Sequence, residues 1–165
     1  IGYVAPFYGN FGVLARTYAY LLMLGRDGLR AVSDRAVLNA NYILQSLKDL
    51  FPAPAERCMH ECVLSASPFA AGGVRAMDFA KGLIDRGIHP PTVYFPLIVP
   101  EAMMVEPTET ESRETLDAFI QAMRELAQLA GVKPEDLHAA PKSTAVGRLD
   151  EVAAARNMDL VFEQA

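Results

Sequence analysis

Residues 89–123, HPPTVYFPLIVPEAMMVEPTETESRETLDAFIQAM, decide how the rest of the chain is interpreted. Prolines punctuate the first half of this stretch, and proline cannot donate a hydrogen bond to a β-ladder. The apolar runs 92–95 and 102–105 are therefore predicted to form two short strands of edge type. An acidic turn follows, in which Thr108-x-x-Glu111 fits a helix capping box. The stretch predicts a kinked β-ribbon that leads into a helix.

Apolar residues recur at helical spacing after this turn, and Gly131 is predicted to stop the helix. The predicted buried side comprises Leu116, Phe119, Ile120, Met123, Leu126, Ala127 and Ala130.

Upstream, the spacing predicts a helix over 13–24, a break at 25–28, and a longer helix from about Asp27 to about Phe51 that ends before Pro52. Asn39 and Asn41 are poor helix formers within it, so they either hydrogen-bond to a neighbouring element or are simply exposed.

A strand over 60–66 and a helix over 75–86 are predicted next. Beyond residue 132 the pattern weakens to a turn at 134–137 and a helix at 149–156, and this tail is expected to wrap over a partner surface or to fray. So few strands predict the α+β class, with a small, mostly antiparallel sheet and helices packed on one side, preceded by a long connecting helix.

The composition limits the classes of partner. The net charge is −5 and no block of Lys or Arg occurs, which argues against nucleic acid and an anionic membrane surface. The two cysteines are too few for a disulfide framework, and no run of membrane length is present, so a cytoplasmic location is expected. A start at Ile1 and 52% hydrophobic residues indicate a piece of a larger protein.

Two patterns carry candidate chemistry. Cys58, His60 and Cys62 would share one face of a strand and suggest zinc, but structural zinc sites need a further ligand pair, so buried thiols and no metal are predicted. The glutamates at 101, 106, 109 and 111 suggest an acid/base pair, yet a helix N-terminus explains most of them. No nucleophile, Walker or dinucleotide motif is present.

Tyr8-Gly9-Asn10-Phe11-Gly12 is a glycine-bearing turn that opens a helix. Its backbone N–H groups would face any nearby anion, so one interpretation is a phosphate site. The other is a purely structural turn that allows two backbone segments to pass close to each other.

Five stretches in order resemble the pyridoxal-phosphate-dependent glycine decarboxylase family of the glycine cleavage system, specifically the C-terminal part of subunit 2 of its two-subunit bacterial form. They are PFYGNFGVLAR (6–16), AVLNANYIL (36–44), MHECVLSA (59–66), VRAMDFAKGLIDRGIHPPTVYFP (74–96) and MMVEPTETE (103–111).

The resemblance implies a fold-type-I enzyme that uses pyridoxal phosphate (PLP) to release the glycine carboxyl as CO2. It passes the aminomethyl group to the lipoylated carrier protein and works in an oligomer with glycine dehydrogenase subunit 1. Residues 1–26 would be the end of a large domain and a connector helix, 27–131 a small α+β domain, and 132–165 a tail with short helices.

No lysine of this chain lies in a motif like the family's cofactor-binding lysine. The resemblance therefore places that lysine upstream of Ile1, assigns no catalytic residue here and implies an inactive piece. Gly9 and Asn10 would contact the cofactor phosphate, across the subunit boundary. No arginine occurs between 88 and 112, so Arg75 or His89 would have to bind the substrate carboxylate.

The connector face formed by Val13, Leu14, Tyr18, Leu21 and Leu22 is expected to be partly uncovered without its large domain. The alternatives to an enzyme piece are a stand-alone α+β binding or regulatory module and, following only from the Cys-His-Cys pattern, a structural zinc domain.

Overall fold

The computed structural model describes residues 8–159 and residue 161. Residues 1–7 of the predicted opening loop, 1–12, therefore lie outside the described residues. The helices are α1 (Phe11–Leu47), α2 (Ser67–Ala70), α3 (Ala76–Ile84), α4 (Arg113–Val132), α5 (Pro134–His138) and α6 (Glu151–Arg156), and the strands are β1 (Cys62–Ser65), β2 (Thr92–Val93) and β3 (Ala102–Val105). This small antiparallel sheet with helices confirms the predicted α+β class.

Helix α1 consists of two helical segments joined at Gly25. The backbone there takes φ 59° and ψ −169°, a conformation that is essentially restricted to glycine. The predicted break is therefore confirmed, although helix resumes directly after Gly25. Before the break the side chains are largely exposed, whereas Ala40, Ile43, Leu44 and Leu47 near the end are buried.

The strand order is β1-β3-β2, with both pairings antiparallel. The prediction that β3 is an edge strand is wrong, because the prolines flank residues 102–105 and leave every N–H within them available to the ladder. Cys62 lies opposite Val105, and Leu64 opposite Met103. Directly opposed residues point to the same face, and all four are buried in the core.

Strand β2 is shorter than the predicted 92–95, because Tyr94 takes a positive φ of 61° and turns the chain out of the sheet. Glu101, just before β3, also has a positive φ, of 50°. Positive φ is uncommon for residues other than glycine. These two residues frame the turn between β2 and β3, whose Leu97 and Ile98 are exposed.

Helix α4 is capped by Ser112, whose hydroxyl accepts a hydrogen bond from the N–H of Thr115 at 3.3 Å. The capping box predicted at Thr108 and Glu111 is therefore wrong. Gly131 does not stop the helix either, since α4 runs to Val132. Of the predicted buried side, Phe119 is half-buried and the other six residues are buried.

The two asparagines of α1 hydrogen-bond to other elements, so exposure is not their explanation. Asn41 donates to the carbonyl of Cys58 at 2.7 Å and accepts from the Cys58 N–H at 3.1 Å. Asn39 donates to the carbonyl of Thr108 at 2.9 Å. Both loops that flank the sheet are thus tied to α1.

The segment after α4, predicted to wrap over a partner or fray, is bound to α3 as far as Arg148. Asp85 at the end of α3 accepts from the N–H groups of Lys142 and Ser143, each at 2.7 Å. Burial alone would raise the pKa of Asp85, but these hydrogen bonds outweigh burial and lower that pKa. No described helix combines the length and apolar content needed to cross a bilayer.

Candidate functional site

The turn before α1 forms a corner of backbone donors. Gly9 takes φ 108°, which favours glycine, and Asn10 is the N-cap, with its Oδ1 accepting from the N–H of Val13 at 3.2 Å. The N–H groups of Phe11 and Gly12 precede the first intrahelical hydrogen bond. The side-chain oxygen of Asn10 is thus occupied with capping, and an anion at this corner would meet backbone N–H groups.

His89 lies in a cleft of about 600 Å³ between the chain that leads into β2, the end of β3 and one side of α4. Its lining includes Glu106, Glu111 and Thr115, and the hydroxyl of Thr115 donates to Glu111 at 2.8 Å. Two carboxylates disfavour another carboxylate nearby. The cleft therefore suits a neutral or cationic group better than the carboxylate of an amino acid.

Arg75 is committed to an internal ion pair. Its Nη1 lies 2.8 Å from Oε1 of Glu101, whose Oε2 accepts from the N–H of Ala76 at 2.8 Å. The side-chain hydrogen bond to Glu101 and the charge of that carboxylate raise the pKa of Arg75. The charge of Arg75 is thus already paired with Glu101, although 58% of its side chain is exposed.

The structure does not gather the sequence candidates into one site. Neither Arg75 nor the Gly9-Asn10 corner lines the cleft that contains His89. Sequence reasoning missed Tyr94, whose pKa is raised by burial and by the charge of nearby Glu101. It also missed the role of Glu101 in holding the start of α3. The sequence feature that could have drawn attention to Tyr94 and Glu101 is the cluster of prolines that interrupts the strand pattern around these two residues.

The Cys58, His60 and Cys62 pattern does not form the predicted strand, because β1 begins only at Cys62. Cys58 is bound to Asn41, and Cys62 is fully buried, which raises the pKa of its thiol to about 12. Within residues 8–159 no group of three or more His, Cys, Asp or Glu side chains is placed to hold a metal ion.

A three-stranded antiparallel sheet packed with helices, with a long helix leading into it, defines the chain as an α+β domain. The family model described as "Glycine dehydrogenase, C-terminal domain" matches residues 32–142. The chain belongs to this family.

Named relatives agree along almost the whole chain. A "Probable glycine dehydrogenase (decarboxylating) subunit 2" from Staphylococcus haemolyticus is 56% identical over 164 residues, which are 99% of this chain and 33% of that protein. The protein of the same name from Bacillus velezensis is 53% identical over 165 residues, 99% of this chain and 34% of that protein. The chain thus spans about a third of the length of these relatives.

A solved structure shares the fold. The crystal structure of glycine decarboxylase (P-protein) of the glycine cleavage system, in inhibitor-bound form, matches with a TM-score of 0.55 and 23% identity. The match covers 66% of this chain and 24% of that chain. At this identity the likeness supports the architecture alone.

Proposed function

We propose that this chain is the C-terminal part of a glycine decarboxylase subunit, in which it forms the small domain beside the cofactor site. The observation that carries the proposal is an identity above 50% over 99% of the chain to proteins called glycine dehydrogenase (decarboxylating) subunit 2. The division at residues 26 and 131 belongs to the same proposal, and the family match over 32–142 supports its central part.

The corner at Gly9 fits the phosphate of PLP. A positive φ at Gly9 and two N–H groups at the start of a long helix are the features that bind phosphate groups in many proteins. We propose that Phe11 and Gly12 hold the phosphate through their N–H groups, while Asn10 keeps the helix start in shape. When bound, PLP stabilises the carbanion that remains after glycine loses its carboxyl as CO2.

The remaining groups for the reaction are proposed to come from outside this chain. Lys48 and Lys142 are ion-paired with Glu56 and Asp136, at 3.0 and 2.8 Å. Since Arg75 is ion-paired with Glu101 and His89 shares its cleft with two glutamates, we place the ligand for the glycine carboxylate elsewhere in the full protein. His89 and Arg75 stay secondary candidates. The proposed partners are subunit 1 and the lipoylated carrier protein, in the cytoplasm.

The test uses Asn10 in the full-length subunit. Asn10→Asp preserves the helix cap, because aspartate caps as well as asparagine does, but it adds a negative charge at the corner. We expect it to weaken PLP retention about fivefold to tenfold, because two like charges about 4 Å apart repel by about 1 kcal/mol even in bulk water. Retention is measured by cofactor absorbance after dialysis.

Asn10→Ser is the matched control, since serine also caps and carries no charge. It is expected to retain PLP, whereas Asn10→Leu removes the cap and should weaken retention. Equal retention in all three variants would reduce the corner to a structural turn. The 165-residue chain alone is expected to show no exchange of labelled CO2 into glycine.

A further inference from the structure

The cleft that contains His89 combines a cavity of ligand size with an apolar lining. Its volume of about 600 Å³ lies within the range of about 300 to 1,000 Å³ that small-molecule sites occupy. Among its lining residues, Ile43, Val105 and Leu116 are buried in the core, and Phe119 packs against that core. The lining also includes three prolines, whose rings restrict the backbone. The fold therefore sets the shape of the cleft before a ligand binds.

Two carboxylates that line the cleft, those of Glu106 and Glu111, have no Lys or Arg partner in the described part of the chain. Oε1 of Glu106 lies 3.9 Å from Nε2 of His60, which carries a charge only when it is protonated. Oε2 of Glu111 accepts from the neutral hydroxyl of Thr115 at 2.8 Å. None of the residues that line the cleft is a lysine or an arginine. The cleft therefore joins an uncompensated negative charge to apolar walls.

This combination favours one class of ligand. Apolar walls favour a hydrocarbon body, because its burial removes apolar surface from water. The carboxylates attract a cation and repel an anion, which disfavours any free amino acid, since its own carboxylate is next to its ammonium group. A bare metal ion is also disfavoured, because within residues 8–159 no group of three His, Cys, Asp or Glu side chains is placed to hold one.

We propose that the cleft binds a small primary alkylamine in its ammonium form, without a carboxylate. The ammonium group would lie by Glu106 and Glu111, and the alkyl chain along the apolar lining. The cleft is separate from the corner at Gly9, and the proposal does not depend on the decarboxylation of glycine.

The probe is hexylammonium, tested by isothermal titration against the full-length subunit. PLP is removed first, because its aldehyde reacts with amines and would obscure a second site. We expect saturable binding with a Kd of about 1 mM, an ordinary affinity for so small a ligand. Hexanol, which has the same chain and no charge, should bind about fivefold more weakly or worse. Hexanoate, which reverses the charge, should not bind measurably.

Glu106→Gln and Glu111→Gln each remove one charge and keep the size of the side chain and a hydrogen-bond acceptor. Each is expected to weaken the binding of hexylammonium about threefold to fivefold, the usual contribution of a partly exposed charge pair, and to leave hexanol unaffected. Glu114→Gln is the matched control, because Glu114 lies in the first turn of α4 but does not line the cleft. It is expected to leave both affinities unchanged.

Ala118→Leu tests the cavity itself. Ala118 is an exposed helical residue of the lining, and leucine is a good helix former, so the larger side chain should fill part of the cleft and leave the core intact. Hexylammonium and hexanol should both bind about tenfold more weakly to this variant, because the apolar surface that they would bury is already covered.

Equal binding of hexanol and hexylammonium would reduce the site to an uncharged apolar crevice and overturn the proposal. An affinity for hexylammonium that neither glutamine variant changes would do the same. Nα-acetyl-lysine methylamide carries the same ammonium group on a protein-like backbone, and tighter binding of this compound than of hexylammonium would assign the cleft to a lysine of another protein instead. Because PLP is absent from these titrations, the proposed phosphate corner can fail without affecting them.

Discussion

The guanidinium of Arg148 donates a hydrogen bond of 2.6 Å to Oδ1 of Asp78, a carboxylate whose side chain is only 4% exposed. The same guanidinium donates to the carbonyls of Leu137 and Ala140, at 3.0 and 2.9 Å. One side chain from the tail thus satisfies a buried charge on α3 and closes the turn that follows α5. Residues 134–148 belong to the domain for this reason.

Arg148→Leu is expected to lower the free energy of unfolding by about 3 kcal/mol, because the buried Asp78 carboxylate loses its permanently charged partner and keeps the N–H of Arg75, at 2.7 Å, and the imidazole of His138, at 3.5 Å. Urea denaturation measures the loss. Lys142→Leu is the control, since the Lys142–Asp136 pair is exposed and such pairs contribute less than about 1 kcal/mol. The double variant with Asp78→Asn should recover part of the loss. Equal effects at Arg148 and Lys142 would show that Asp78 is adequately solvated.

Asn41→Ala is expected to destabilise the domain by about 2 kcal/mol, because it leaves both the N–H and the carbonyl of Cys58 without their partner in a half-buried position. Gln45→Ala removes a similar but exposed hydrogen bond, from Gln45 to the carbonyl of Glu56, and should cost less than about 1 kcal/mol. Thermal unfolding of the two variants side by side gives the comparison. The reverse order would contradict the structural role given to Asn41.

Two of the helical glycines, Gly82 and Gly131, should respond to alanine in opposite directions. A Cβ on Gly82 would lie 2.5 Å from Cδ2 of the buried Leu126, so Gly82→Ala is expected to destabilise by about 1 to 2 kcal/mol through overpacking. A Cβ on Gly131 would meet nothing within 4 Å, so Gly131→Ala is expected to stabilise by about 1 kcal/mol through helix propensity. The urea midpoint of each variant shows whether the substitution stabilises or destabilises the domain. Stabilisation by both substitutions would show that Leu126 moves aside freely.

The thiol of Cys62 predicts how stability depends on alkaline pH. Burial raises its pKa from 9.0 to about 12, so between these values the unfolded chain has lost this proton and the folded chain retains it. The unfolded state then binds fewer protons, and stability falls as pH rises, by up to about 1.4 kcal/mol per pH unit.

Cys62→Ala removes the contribution of this thiol to the pH dependence of stability, while the other titratable groups remain. The free energy of unfolding of both proteins is measured in urea below and above pH 9. As pH rises, the wild type is expected to lose more stability than Cys62→Ala does. A constant difference would mean that the thiol ionises without unfolding. Iodoacetamide should label Cys62 only after unfolding, because thiolate is the reactive form.

The secondary structure was largely predictable because its signals are local. The helical spacing from Leu116 to Ala130 places the buried side of α4 correctly, and Gly25 marks the break in α1. The predictions failed where two local signals compete. Thr108 and Ser112 both precede α4 with a suitable acceptor, and only the backbone path shows that Ser112 is the cap.

The candidate site was less predictable than the fold, since a residue's function depends on which distant groups it meets. Arg75 had the right chemistry for a carboxylate, but Glu101, 26 positions away, neutralises it. His89 had no partner in its own motif, and only packing placed it in one cleft with Glu106, which follows β3, and Glu111, which precedes α4.

The sequence by itself determined the family, the α+β class and the turn at Gly9, because each follows from residue order and local backbone preference. Tertiary structure alone decided that β3 is central and that the tail binds α3 through Asp78 and Asp85. The physical reason is that strand order, buried charge pairs and exposed faces are set by contacts between residues far apart in the chain, and local propensity does not encode such contacts.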